Sequence, residues 1–457
     1  MNSTHSTSRR LRRAAALITT GAALAATLVA CSASGGAAGG GGAETGTAED
    51  IAAALQKKTT ITVWTWGTPV QKVADAFEEK YPKITVKVVN AGTGQDEYTK
   101  LQNAVKAGSG APDVAQIEYF ALPQFALGDS LVDLNDFGFD SLEDKFSAST
   151  WGSVSLDGGL YGLPQDSGPM AMFYNKAVFD QHGIAVPATW AEYAAAAATI
   201  HAADPTKFIA SDSGDAGFTT SMIWQAGGQP YTTKDGTDVS INLQDDGARK
   251  FTEMWDPLMQ DGLLSPIVGW TDEWYKGLGD GTIATLLTGA WMPANFESGI
   301  AESAGDWRVA PMPSYEAGVP ASAENGGSSN VVMKQSKNKL AAAGFLEYMN
   351  ASAEGTQVQI DAGSFPSTTA DLESDDFLNY QSEYFGGQEI NKVLVQASSD
   401  VLPGWSYLPF QVYSNSIYSD TVGQAYENKS DIADGLSAWQ KETAAYGTEQ
   451  GFTVTEK

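Results

Sequence analysis

From residue 61 onward the hydrophobic period of the chain switches in a regular order. Ile61-Thr62-Val63-Trp64-Thr65-Trp66 alternates and is rich in β-branched and aromatic residues, the pattern of a strand. Val70, Val73, Ala74 and Phe77 then recur at helical spacing. Thr68-Pro69-Val70-Gln71 at their start has the order of a capping box with proline at the first helical position, and Pro82 bars extension beyond Tyr81. Ile84, Val86 and Val88 alternate as a second strand. Tyr98, Leu101 and Val105 mark a second helix, ended by Gly108-Ser109-Gly110, and 113–117 reads as a third strand. Strand, helix, strand, helix, strand predicts a parallel sheet with covering helices, whose ligands sit at the carboxyl ends of the strands. Trp66 and Glu118-Tyr119 fall there. A second unit opens near Gly168, with a strand at 172–176, an amphipathic turn from Val178 to Gly183, and a capping box of Thr189 and Glu192 before an alanine-rich helix.

The first thirty residues follow a different logic. Arg9, Arg10, Arg12 and Arg13 precede a mostly apolar run at 14–26, then Leu28-Val29-Ala30-Cys31 and small residues. That order is a secretion signal, 1–30, and its apolar run is shorter than the roughly 20 residues of a spanning helix. Cys31, the single cysteine of the chain, stands where a bacterial lipobox places the acylated thiol. Lipid on Cys31 is then expected to hold the protein to the membrane. Residues 31–56 are dominated by Gly, Ala, Ser and acids and read as a flexible tether, with folded sequence from about Lys57.

Charge narrows the partners. The 27 basic and 55 acidic residues give a net charge of -28, and the arginine-rich leader hides part of the excess. Such a chain repels nucleic acid and anionic lipid. Roughly 400 folded residues exceed one core, so two domains are expected. Catalytic motifs fare poorly. Gly128-Asp129-Ser130-Leu131 spells a lipase/esterase block, yet neither His182 nor His201 stands in the Asp-x-x-His context that chemistry needs. Two histidines beyond the leader and an acylated cysteine leave no zinc set, and no phosphate loop or dinucleotide fingerprint occurs. Asp235-Gly236-Thr237-Asp238 and Asp245-Asp246-Gly247 lack the spaced ligands of a calcium loop and read as solvated turns. No metal, cofactor or catalytic residue is expected.

A larger pattern joins these pieces. Pro112-Asp113-Val114 with Glu118-Tyr119 comes first, then Tyr161-Gly162-Leu163-Pro164 and Tyr174-Asn175-Lys176. Pro187-Ala188-Thr189-Trp190-Ala191-Glu192, Thr288-Gly289-Ala290-Trp291, Gly326-Gly327 with Val331-Val332, and Phe345-Leu346-Glu347-Tyr348-Met349 follow. In this order they resemble the extracellular, maltose-binding-protein-like sugar-binding proteins of bacterial ABC importers, over about 60–446. The resemblance implies an α/β, two-lobed periplasmic-binding-protein-like fold with a hinge crossed several times and an interlobe cleft. On it, lobe 1 is 57–165 with 325–370, and lobe 2 is 166–324 with 371–457. It implies a monomer that closes on an oligosaccharide and presents it to the membrane subunits of an importer.

A pyranose offers an apolar face to aromatic rings and hydroxyls to carboxylates and amides. Trp66, Trp224, Trp291 and Trp405 are the expected platforms, Trp291 also by its match to the family's motif, and Trp270 and Trp274 lie in similar stretches. Glu118 and Asp166 are the expected hydroxyl acceptors, with Tyr119, Gln411 and Tyr413 as lesser partners. Each tryptophan reads equally well as ordinary packing. The competing readings are a secreted glycoside hydrolase, which paired carboxylates in an aromatic cleft would equally serve, and a lipoprotein for a non-sugar solute, where fewer aromatics are expected.

Overall fold

The computed structural model describes residues 45–457, so the expected leader, Cys31 and the start of the tether lie outside the described residues. The tether expected through 56 is interrupted by a helix, α1 (Ala48–Leu55), whose capping box pairs Thr47 with Asp50. Ile51 and Leu55, one turn apart, are buried against Gly344, where a Cβ would stand 3.0 Å from Ile51 Cγ2. Two apolar residues at i, i+4 suffice to dock a short helix onto an existing core, and their small number left no visible period in the sequence.

The first lobe follows the predicted order: β1 (Thr59–Trp64), α2 (Val70–Lys80), β2 (Ile84–Val89), α3 (Gln95–Ala107) and β3 (Val114–Glu118). The three strands are parallel, in the order β2-β1-β3. Ser328–Val332 then pairs antiparallel with β3, and Leu163–Pro164 with it in turn. Thr68 does not cap α2. Pro69 takes the N-cap position at φ -65° with no side-chain bond, and Gln71 turns to Asp75 Oδ1 at 2.8 Å. Proline already fixes the first turn and brings no N–H that needs a partner. The Thr189–Glu192 box does form, at the head of the helix Trp190–Ala203.

The second lobe is built on Met170–Asn175, which runs antiparallel between Thr285–Gly289 and Trp307–Pro311. Met170 and Met172 point into a core with Trp190, Trp255 and Trp439, while Ala171 and Phe173 point into another with Phe296, Trp307 and Phe385. Both faces of this strand are covered, which is why its sequence is continuously apolar rather than alternating.

Two antiparallel crossings join the lobes. Gln165 N donates to Ser328 O at 2.8 Å, Asn325 N to Gly168 O at 2.7 Å and Met170 N to Ala323 O at 2.8 Å. Other segments are shared between the lobes. Trp405 packs on the second lobe but Tyr407 and Val412 on the first, and Ile360 and Phe365 pack on the second lobe's aromatic core. Gly128 ends a helix at Leu127, so the Gly-Asp-Ser-Leu match is a helix-ending turn, with Asp129 paired to Lys334. Asp235 and Gly236 form the turn between Tyr231–Lys234 and Asp238–Ile241, and Asp245 caps the following helix. Among the described residues no helix is long and apolar enough to cross a membrane.

Candidate functional site

The crossing strands sort neighbouring side chains to opposite sides. At the end of β3, Glu118 lines one cavity of about 490 Å3 and Tyr119 another of about 560 Å3. Asn325 likewise lines the first, while the carboxylate of Glu324 turns to Ser149, which lines the second. The first cavity is the interlobe cleft at the strand ends that the fold predicts for a ligand. The second lies behind the crossings.

Into the cleft the first lobe places Thr93, Glu118 and Phe120, the second places Asp215, Thr220, Ser221, Trp270 and Trp291, and the crossing strand places Asn325. Tyr407, from a shared segment, lines both cavities. Trp291 is fixed by its indole N–H, which donates to Asn325 O at 2.7 Å. Neighbouring glycines make room for Trp291 and for Tyr119 respectively. Gly326 (φ +76°) would carry a Cβ 3.0 Å from Trp291 Nε1, and Gly327 (φ +93°) one only 2.7 Å from the Tyr119 ring. Trp270 stacks on Trp291 with centroids 5.7 Å apart and 29° between planes, and rests in turn on buried Trp274. Trp270 is itself 59% exposed and holds φ +67°, a left-handed conformation that bulky residues rarely adopt. An exposed aromatic face kept at a strained backbone position at the mouth of a cleft marks a surface shaped for contact.

Carboxylates line the same cleft. Tyr98 OH donates to Glu118 Oε2 at 2.9 Å and accepts from Glu118 N at 3.1 Å. Among the described residues no donor reaches Glu118 Oε1, which leaves it for a ligand. Burial pushes the Glu118 carboxyl up to about 7; the Tyr98 hydrogen bond opposes this and the charges of Asp166 and Asp215 add to it. Asp215 caps the helix Ala216–Gln225 through Phe218 N at 2.6 Å, and desolvation within the cleft raises its carboxyl too. None of the described residues lining the cleft is basic. The arrangement suits a ligand that brings many hydroxyl donors, an apolar face and no negative charge. Among the described residues no group of three or more His, Cys, Asp or Glu side chains is placed to hold a metal ion.

Of the expected site residues, Glu118, Trp291 and Gln411 meet in the cleft. Gln411 is committed to its own helix, accepting from Leu408 N and donating to Asn415 Oδ1 at 2.9 Å. Trp66 is not among the described residues lining the cleft; it stands edge-on to Tyr98 at 6.2 Å and so braces the group that orients Glu118. Asp166 and Tyr119 belong to the hinge: Asp166 Oδ1 accepts from Ser328 N at 2.6 Å, and Tyr119 OH donates to Asp166 O at 2.6 Å. Burial raises Asp166 to about 6 and hinge-bound Glu324 to about 7. Trp224 and Trp405 stack on each other at 5.0 Å and 4° in the rear cavity, so their facing surfaces are spent. Tyr413 stacks on Tyr446 at 3.5 Å, away from the cleft lining. Asp215, Phe120, Tyr407 and Trp270 were not among the expected binders. Asp215 carried a signal, an aspartate three residues before Phe218 at a helix start, whereas the role of Trp270 rests on a backbone angle that a sequence does not display.

Two lobes, crossing strands and an aromatic, acidic cleft define a solute-binding protein. Residues 64–356 match the family of bacterial extracellular solute-binding proteins, and the chain belongs to that family. Its fold is similar to the ABC transporter associated binding protein from B. animalis subsp. lactis Bl-04 in complex with β-1,6-galactobiose. The TM-score is 0.81 and the identity 46%, over 88% of this chain and 100% of that one. The galacto-N-biose-/lacto-N-biose I-binding protein of Bifidobacterium longum, in complex with lacto-N-biose, gives a TM-score of 0.76 at 27% identity over 87% and 98%. The arabinooligosaccharide-binding protein of Bacillus subtilis is 27% identical over 413 residues, 87% of this chain and 92% of that one.

Proposed function

We propose that this chain captures a short, neutral, galactose-containing oligosaccharide in the interlobe cleft and hands it unchanged to the membrane subunits of an ABC importer. The observation that carries the reading is the Trp270–Trp291 wall lining, together with Glu118 and Asp215, a cleft without bases. The 46% identity to a protein complexed with β-1,6-galactobiose favours a galactoside over other sugars. Lobes at 57–165 with 325–370 and at 166–324 with 371–457 close about the shared segments. Lipid on Cys31 keeps the protein at the outer face of the cytoplasmic membrane, and it works as a monomer.

Calorimetry against β-1,6-galactobiose, lacto-N-biose, arabinobiose and maltose tests the reading. Stoichiometric binding of a galactoside without new reducing ends is the expected result. Turnover of the sugar instead means a glycoside hydrolase, and binding of no saccharide ends the proposal.

The same titration has an expected pH profile. A sugar hydroxyl donating to Glu118 favours its ionised form, so binding lowers a pKa of about 7 and releases a proton. Affinity therefore rises between pH 5.5 and pH 8, by about three- to tenfold, and levels off above. Glu118→Gln is expected to flatten this slope and weaken binding at pH 8; an unchanged slope removes Glu118 from the contact.

A further inference from the structure

A second concavity adjoins the cleft. Gly214 and Ser419, which line it, also line an outer groove of about 650 Å3 on the second lobe. The two residues form a saddle. Gly214, at φ +91°, passes so close to Tyr426 that a Cβ there would stand 3.2 Å from the ring, and this keeps the crest low. Beyond it the groove runs between the segment 262–266 and the helix Val422–Asn428. Met259, Leu264 and Pro266 give it an apolar side. Exposed Gln424, Glu427 and Lys429 edge the other, with Lys429 Nζ reaching towards Gly262.

We infer that this groove holds the distal units of a longer oligosaccharide whose first units lie between the lobes. The inference rests on the sugar reading of the cleft and extends it to chain length. Three features support it. The groove adjoins the cleft at the saddle residues, which line both. Its chemistry, an apolar strip beside unburied amide, carboxylate and ammonium groups, is again that of a pyranose surface. The groove also lies wholly on one lobe, so a chain in it leaves the rotation of the lobes about the crossings unhindered.

Gly423 offers a direct test. It lines the groove but not the cleft, its φ is ordinary, and a Cβ there would meet nothing nearer than 3.5 Å, so Gly423→Phe fills the groove without straining the helix. Affinities of the full chain for β-1,6-linked galacto-oligosaccharides of two, three, four and five units are the measurement. The native chain is expected to gain at least tenfold between two and four units. Gly423→Phe is expected to abolish that gain while binding the disaccharide within twofold of native, and Glu427→Ala to reduce the gain with the disaccharide likewise unaffected. A native series that is flat from two to five units, or a gain that survives Gly423→Phe intact, overturns the inference while leaving capture of the disaccharide standing. Failure of every length to bind overturns the sugar reading and this inference with it.

Discussion

Trp291→Ala is expected to weaken sugar binding at least 30-fold, about 2 kcal/mol, with the unliganded fold retained. The expectation has two parts. The indole face is half of the stacked pair with Trp270, so truncation removes the apolar surface that covers a pyranose face and leaves Trp270 without its partner. The indole N–H also holds Asn325 O at 2.7 Å on a crossing strand, and Asn325 in turn donates to Ser221 Oγ and accepts from Thr288. Trp291→Phe separates these parts, since it keeps an aromatic face and loses only the hydrogen bond. An intermediate loss of affinity is expected. Trp224→Phe, altered in the rear cavity, is expected to change affinity less than threefold. Should Trp291→Ala bind the sugar within threefold of native, the aromatic wall plays no part in recognition and the ligand must be held elsewhere in the cleft.

The contrast between Trp291 and Trp224 shows what a sequence reveals and what it hides. Strand and helix periods located β1, α2, β2, α3 and β3 in order, because each buries one stripe against a single core. Glu118 was legible for the same reason: it ends a strand of a parallel sheet. Which side of a crossing strand a side chain takes depends on pairings made more than a hundred residues away, such as Glu118 with Ser328. Among the tryptophans only the match to the family's motif set Trp291, which lines the cleft, apart from Trp224 and Trp405, which face each other behind it. Asp166 was read as a sugar acceptor, a carboxylate to meet a pyranose hydroxyl. The fold spends one of its oxygens on Ser328 N instead, since a hinge of two short strands has few other ways to fix its register. The segment that forms α1 looked like tether for a comparable reason, its docking being set by Gly344 nearly three hundred residues on.

Glu97→Gln is expected to raise the melting temperature by about 3 °C or more at pH 8 and to leave it unchanged near pH 4.5. Glu97 sits in the first turn of α3, where the helix dipole favours an acid. It is nevertheless fully buried, and among the described residues neither oxygen has a hydrogen-bond partner. Desolvation pushes its carboxyl up from 4.5 to about 8, with Lys100 opposing only in part. Below pH 4.5 the acid is protonated in both folded and unfolded chains and costs nothing that depends on pH. Between 4.5 and 8 the unfolded chain gives up its proton first, so stability falls as pH rises, and above 8 the loss is complete. At about 1.4 kcal/mol per pKa unit the upper limit of this loss is about 5 kcal/mol. The amide never ionises, so the variant escapes the loss while keeping the shape. Raised values at Glu118, Asp166, Asp212 and Glu324 act in the same direction, so the native protein is expected to melt lower at pH 8 than at pH 5. Glu97→Gln should remove the part of that decline that belongs to α3 and not the part that belongs to the cleft. Melting curves of the two proteins that fall in parallel from pH 5 to pH 8 would show that Glu97 finds a proton or a partner in solution, and the unpaired buried acid would no longer explain the slope.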